Sequence, residues 1–172
     1  MGSILFAERE GVHVLKFVGD VRLSLGPTIA SYLGRLEACD CFNGMIIDLS
    51  ETDTIDSTAL GLIAKIAICT REKFNSPTNI VSPRDDITRV LKSMAMEHVC
   101  VISSEVLGES SDLSELPLEI CSEDAMRSQV LDAHKTLMSF DDENINKFHE
   151  LVDALESEND NPSDASPKRA II

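Results

Sequence analysis

Residues 48–61 read Asp-Leu-Ser-Glu-Thr-Asp-Thr-Ile-Asp-Ser-Thr-Ala-Leu-Gly, and they concentrate the side chains here that could do chemistry. Carboxylates and hydroxyls alternate closely, then give way to an apolar run. Such a density of oxygens invites a calcium loop starting at Asp48. The sixth position of that loop needs Gly and holds Asp53, and the twelfth needs Glu and holds Ala59, so the reading fails. A phosphate cradle needs several glycines and a Lys, and residues 49–60 contain neither. A nucleophile elbow needs Gly-x-Ser-x-Gly, whereas Ser57 stands in Ile-Asp-Ser-Thr-Ala. What remains is a serine beside a carboxylate, directly before an apolar helix. Asp, Ser and Thr are good N-caps, so Ser57 is expected at the cap of that helix. Anions are tolerated at the same place, because the free N–H groups and the helix dipole favour negative charge.

No other constellation competes with this one. His13, His98, His134 and His149 show no ligand spacing, and each reads as an ordinary histidine rather than a ligand or a base. The five cysteines form no Cys-x-x-Cys pair and read as buried free thiols in a reducing cytosol. With no acid–base or metal constellation, the expectation is a binding protein without a cofactor or metal, not an enzyme. The formal net charge of -15 argues against nucleic acid as a direct partner. There is no apolar run of about 20 residues, which argues against membrane insertion, and no secretory signal is evident. A cytoplasmic protein is the resulting expectation.

The elements that must position Ser57 follow from periodicity. Residues 4–8 and 12–18 read as two strands joined by a turn at Glu10-Gly11, the second alternating apolar and polar side chains. Gly26-Pro27 opens a helix that ends between Cys41 and Gly44, with Pro27 at the first helical position. The short apolar run at 45–49 suits a strand covered on both faces, followed by a polar loop. Residues 57–74 form a long helix, apolar around most of its first half. A brief strand at 79–81, a helix over 83–96 and a strand at 99–102 complete the order β-β-α-β-α-β-α-β. Strands alternating with helices predict an α/β layer fold with a mixed sheet of four to five strands.

Beyond Ser104 the surface chemistry changes. Residues 1–104 hold 13 acids and 10 bases, and residues 105–172 hold 17 acids and 5 bases. Residues 105–118 have no clear period, with an edge strand expected around Val106-Leu107. Ser122 caps a helix striped by Met126, Val130, Leu131, Leu137 and Met138. Asp141, Asp142 and Glu143 suit the start of another, carrying Ile145, Phe148, Val152 and Leu155. The division is therefore a domain over 1–104, an acidic helical extension over 105–157 and a polar, disordered tail over 158–172. The stripes of the helical hairpin suit packing on the core, dimerisation or a separate partner.

At residues 48–61 the sequence also resembles a family. Asp48-Leu49-Ser50, followed by Ile55-Asp56-Ser57-Thr58-Ala59-Leu60-Gly61, is similar to the signature of STAS domains, especially bacterial anti-sigma factor antagonists. Gly19-Asp20-Val21, placed after the second strand, looks like the family's Gly-Glu-Leu turn. The resemblance spans about residues 1–105. It departs from the family at Arg22, where many members have Asp, and at Ala59, where Gly is usual.

The resemblance implies the STAS fold and a partner switch. Ser57 would be phosphorylated by an anti-sigma factor that is also a serine protein kinase, and a metal-dependent Ser/Thr phosphatase would reverse it. Only the unphosphorylated form would hold the anti-sigma partner. Asp56, Thr58 and Gly61 would form the docking patch, with Arg22 and Ser24 at its margin. The alternative is a STAS interaction subunit of a transporter or signalling complex, in which Ser57 is only a cap.

Overall fold

The alternation in the second strand turns His13, Leu15 and Phe17 to a buried face and leaves Val12, Val14, Lys16 and Val18 half-exposed on the other. The computed structural model describes residues 1–108 and 112–160. In it, β1 (Ser3–Arg9) and β2 (Val12–Val21) form an antiparallel hairpin. Glu10 and Gly11 both take positive φ, 52° and 81°, the backbone that a two-residue hairpin turn between right-twisted strands requires. β3 (Gly44–Ile55), β4 (Thr78–Val81) and β5 (Cys100–Ser103) follow in parallel, each joined by a helical crossover. The helices are α1 (Gly26–Glu37), α2 (Ser57–Phe74) and α3 (Asp85–Ser93). With a short β6 (Ser114–Glu115) added at one edge, the sheet order is β5-β4-β3-β2-β1-β6.

Four local expectations are corrected. β3 does not stop at Leu49: its polar half, 51–55, pairs in parallel with residues 18–21 of β2, past two irregularities in register. Long-range pairing therefore turns an expected loop into strand. Gly19-Asp20-Val21 lies inside β2 at that irregularity, where Gly19 has a φ of 77°. The helix expected over 83–96 divides into α3 and a 3-10 turn at Met96–His98, separated by Ala95 at a φ of 57°. The edge strand is not at Val106-Leu107 but is β6 (Ser114–Glu115), paired with Leu5 and Phe6 of β1. It brings the sheet to six strands, against the four to five expected.

The core joins the sheet to α1 and α2 through aliphatic side chains. Leu15, Phe17, Ile47 and Leu49 from the strands cluster with Ile29, Leu36, Leu60, Ile63 and Ile66 from the helices, all essentially without exposure. At about 1.5–3 kcal/mol for each large apolar side chain removed from water, this cluster is the main source of stability.

The C-terminal segment belongs to the same packing. Leu116 donates its N–H to Ile4 O, and Glu119 donates to Thr28 Oγ1, so the connector is tied to β1 and α1. α4 (Glu123–Met138) and α5 (Asp142–Asp160) then form a hairpin. Ser122 caps α4 as expected, accepting from Ala125 N. Ala133, Leu137, Phe148 and Val152 are buried, and the first three join the main core cluster. α5 continues through residues 158–160, three residues into the expected tail, and residues 161–172 lie outside the described residues.

Candidate functional site

The end of β3 delivers Asp56 and Ser57 to the rim of the sheet. Asp56 donates its N–H to Val21 O, which ties the ends of β2 and β3 together. Its backbone is extended, with φ −93° and ψ 167°, and its Oδ1 accepts from Ala59 N at 2.8 Å. Asp56, not Ser57, is therefore the N-cap of α2. The second carboxylate oxygen accepts from Leu23 N at 2.7 Å. One side chain thus closes the helix and fixes the loop that carries Arg22, Leu23 and Ser24.

As the first helical residue, Ser57 keeps its hydroxyl free of the capping role. It makes a 2.9 Å hydrogen bond to Nε2 of His134, on α4 of the C-terminal hairpin. The other ring nitrogen, Nδ1, lies 2.6 Å from Val130 O. A carbonyl only accepts, so Nδ1 carries the proton. In the neutral ring Nε2 is then an acceptor, and the Ser57 hydroxyl donates to it. His134 is 2% exposed, and its ring meets Phe148 edge-on at 4.9 Å between centroids.

His134 is the site residue that the sequence reading passed over. The available signal was phase: it sits four residues after Val130 and three before Leu137, on the apolar stripe of α4. A histidine on a buried stripe needs a polar partner, and 77 positions of sequence separation hide which one.

The remaining site residues separate into two groups. Arg22 and Ser24 are exposed, and with Leu23, Thr54, Ile55 and Asp56 they line an open depression of about 430 Å³. Leu23, 44% exposed, is the more exposed of its two large apolar side chains, the other being Ile55. Thr58 and Gly61, by contrast, are buried. A Cβ on Gly61 would fall 2.4 Å from Ala133 O, so only glycine lets α4 approach α2 this closely. Lys65 and Asp132 add an ion pair at 3.5 Å along the same contact.

No group of three or more His, Cys, Asp or Glu side chains among the described residues could hold a metal ion. Among them, no helix is long and apolar enough to cross a membrane.

Among solved structures, the fold is similar to a candidate anti-sigma factor antagonist from Thermotoga maritima. The TM-score is 0.51 at 19% identity, covering 59% of this chain and 86% of that one. The anti-sigma factor antagonist SpoIIAA, in its unphosphorylated form, gives a TM-score of 0.49 at 13% identity, covering 59% of this chain and 87% of that one. No family model and no curated protein matches the chain. At 19% identity the first likeness establishes the fold, a mixed α/β sheet with helical crossovers as in the antagonist structure.

Proposed function

We propose that this chain, which has the STAS fold, is an anti-sigma factor antagonist working as a phosphorylation-controlled partner switch. In this reading it binds an anti-sigma factor that is also a serine kinase while Ser57 is unphosphorylated. The observation that carries the proposal is the junction of β3 and α2. Asp56 takes over the cap, which leaves the hydroxyl of half-buried Ser57 free of the capping role at a helix N-terminus. Transfer of the γ-phosphoryl of ATP to Ser57 Oγ releases ADP and the hydroxyl proton. A metal-dependent Ser/Thr phosphatase returns the serine.

The physical effect would differ between the fold and the complex. The modification adds about −1.5 to −2 charges, which α2's N-terminus accommodates internally. Against a docked partner the same charge brings bulk, desolvation cost and repulsion. A loss of about 3 kcal/mol there weakens binding more than a hundredfold. Exposed Arg22, Leu23 and Ser24, with Asp56 beneath them, offer the entry surface. The protein acts by occupying its partner, without turnover of its own.

The test is to incubate the full chain with ATP and an extract of its own cells, then map phosphate by mass spectrometry. Label on Ser57, with the partner captured by Ser57→Ala and lost by Ser57→Asp, is the expected result. Equal capture by the two variants would remove Ser57 from the mechanism.

A second reading, a STAS interaction subunit with no phosphoserine switch, is favoured by one observation. The Ser57 hydroxyl is already bonded to His134, Gly61 is covered by Ala133 of α4, and Thr58 is buried. An unlabelled Ser57 in an extract with demonstrated kinase activity, together with a stable stoichiometric complex, would select this reading.

A further inference from the structure

α4 lies on the part of α2 that begins at Ser57, and three contacts describe how it is held. Ala133 packs on Gly61 with no space for a Cβ, Asp132 pairs with Lys65, and His134 accepts the Ser57 hydroxyl. Elsewhere the hairpin is anchored at its turn. Asn144 Nδ2 donates to Leu137 O at 2.7 Å and to Met94 O at 2.9 Å, and Lys147 donates to Ser93 O. The hairpin has a buried side and an acidic outer side. Residues 122–160 carry eleven acids against three Lys and Arg.

We propose that the α4–α5 hairpin is a built-in ligand of the Ser57 face of α2, and that a phosphoryl group on Ser57 ejects it. The inference rests on the reading of Ser57 as a modified residue and adds what the modification does inside this chain. Three arguments converge.

The first is hydrogen-bond chemistry. With Nδ1–H committed to Val130 O, Nε2 needs a donor, and a phosphoserine ester oxygen has no proton to give. Turning the phosphoryl group toward the depression beside Arg22 also breaks the contact and leaves Nε2 buried without a partner. The second is space. A 2.9 Å separation between Oγ and Nε2 does not admit a tetrahedral phosphoryl group, and the Gly61–Ala133 contact leaves α4 no room to shift inward. The third is charge. A near-dianion would stand beside the Asp56 carboxylate, inside the closed contact between α2 and α4. α2 itself tolerates the phosphate at its N-terminus, so the sheet and α2 stay folded while the cover leaves.

The consequence is a face with two competing occupants. In the unphosphorylated chain an external partner reaches Gly61 only by displacing α4, so the hairpin sets a threshold for binding. Arg22, Leu23 and Ser24 stay exposed in the closed arrangement and give that partner a first contact.

The experiment encodes phosphoserine at position 57 of the full chain and follows amide hydrogen exchange by mass spectrometry. No kinase is required, so the result is independent of whether one exists for this protein. Exchange in α4 and α5 is expected to rise about tenfold or more, equivalent to about 1.4 kcal/mol, with β2, β3 and β4 unchanged. In a His134→Ala background, where the clash with the imidazole and the orphaned Nε2 acceptor are both gone, the effect of phosphoserine is expected to fall below about threefold. Unchanged or slower exchange in the hairpin would overturn the proposal. Loss of protection in the sheet as well would also overturn it, since the modification would then unfold the chain. An equal response with and without His134 would overturn the role given to that side chain. Hairpin release without any labelling of Ser57 in cell extract would defeat the partner switch but leave this inference standing. A labelled Ser57 with an immobile hairpin would do the reverse.

Discussion

α2 and α4 lie against each other, yet they are built on different terms. α2 buries Thr58, Ala59, Leu60, Gly61, Leu62, Ile63, Ala64, Ile66, Ala67 and Thr70, so nearly every direction around its first half meets protein. α4 buries only Ala133, His134 and Leu137. Their surroundings differ as well. Residues 1–104 are close to charge balance, whereas residues 105–172 hold 17 acids and 5 bases. A helix enclosed on all sides cannot leave without unfolding the domain. A helix held by one stripe can open alone, because local opening costs only the contacts of that stripe. The comparison explains how a modification at the start of α2 could change the position of α4 and leave the sheet intact.

Substitutions in the two helices should separate these behaviours most clearly. Leu60→Ala removes a fully buried side chain of α2 and should cost about 2–5 kcal/mol of global stability, read from urea denaturation. Every amide in the sheet should lose protection together. If only α2 responded, the description of α2 as part of one cooperative core would fail.

Leu137→Ala, also fully buried, should cost about 2–3 kcal/mol, but as local opening of α4 and α5. Hydrogen exchange should accelerate in the hairpin while β2 and β3 keep their protection. A uniform loss across the sheet would mean that the two regions form a single cooperative unit.

The junction between the regions offers a smaller effect. Asp56→Ala removes the cap on Ala59 N and the acceptor for Leu23 N, and should lower stability by about 0.5–2 kcal/mol. Asp56→Asn, which retains an acceptor oxygen, should recover most of that loss in the same denaturation measurement.

The smallest effect concerns the far end of the sheet. His13 is buried, and its Nδ1 meets Tyr32 OH at 2.6 Å. Burial lowers its pKa below the ordinary 6.5, with the nearby Glu8 carboxylate opposing part of that shift. A depressed folded-state value means that the unfolded chain takes up the proton first. The stability associated with neutral His13 is therefore complete above pH 6.5 and declines as the pH falls below it toward the lower folded value. The midpoint of thermal unfolding should decline over that window, and less so in His13→Gln. A decline that His13→Gln leaves unaltered would assign the pH dependence to other groups.

Much of the fold was legible from nearest neighbours. The helix at 57–74 matches α2, Gly26-Pro27 opens α1, Ser122 caps α4, and the turn at Glu10-Gly11 joins β1 to β2. Within the site, Ser57 was correctly assigned to a helix N-terminus, but the choice of cap fell to its neighbour. Asp56 prevails because its two oxygens satisfy Ala59 N and Leu23 N at once, and the second of these comes from a loop 33 positions away. The polar half of β3 was misread for a similar reason. Its side chains look like loop, and only pairing with β2 supplies hydrogen bonds that hold it extended.

The sequence by itself determined the local features: apolar period, capping residues, turn glycine, and a serine between strand and helix. Each depends on side chains a few positions apart, whose geometry the backbone imposes directly. Tertiary structure alone decided that β6 pairs with β1, that Gly61 receives Ala133, and that His134 accepts the Ser57 hydroxyl. Those contacts join segments separated by tens of residues. They exist because burying the stripes of α4 and α5 selects one docking arrangement, and no local pattern specifies which polar groups that arrangement brings together.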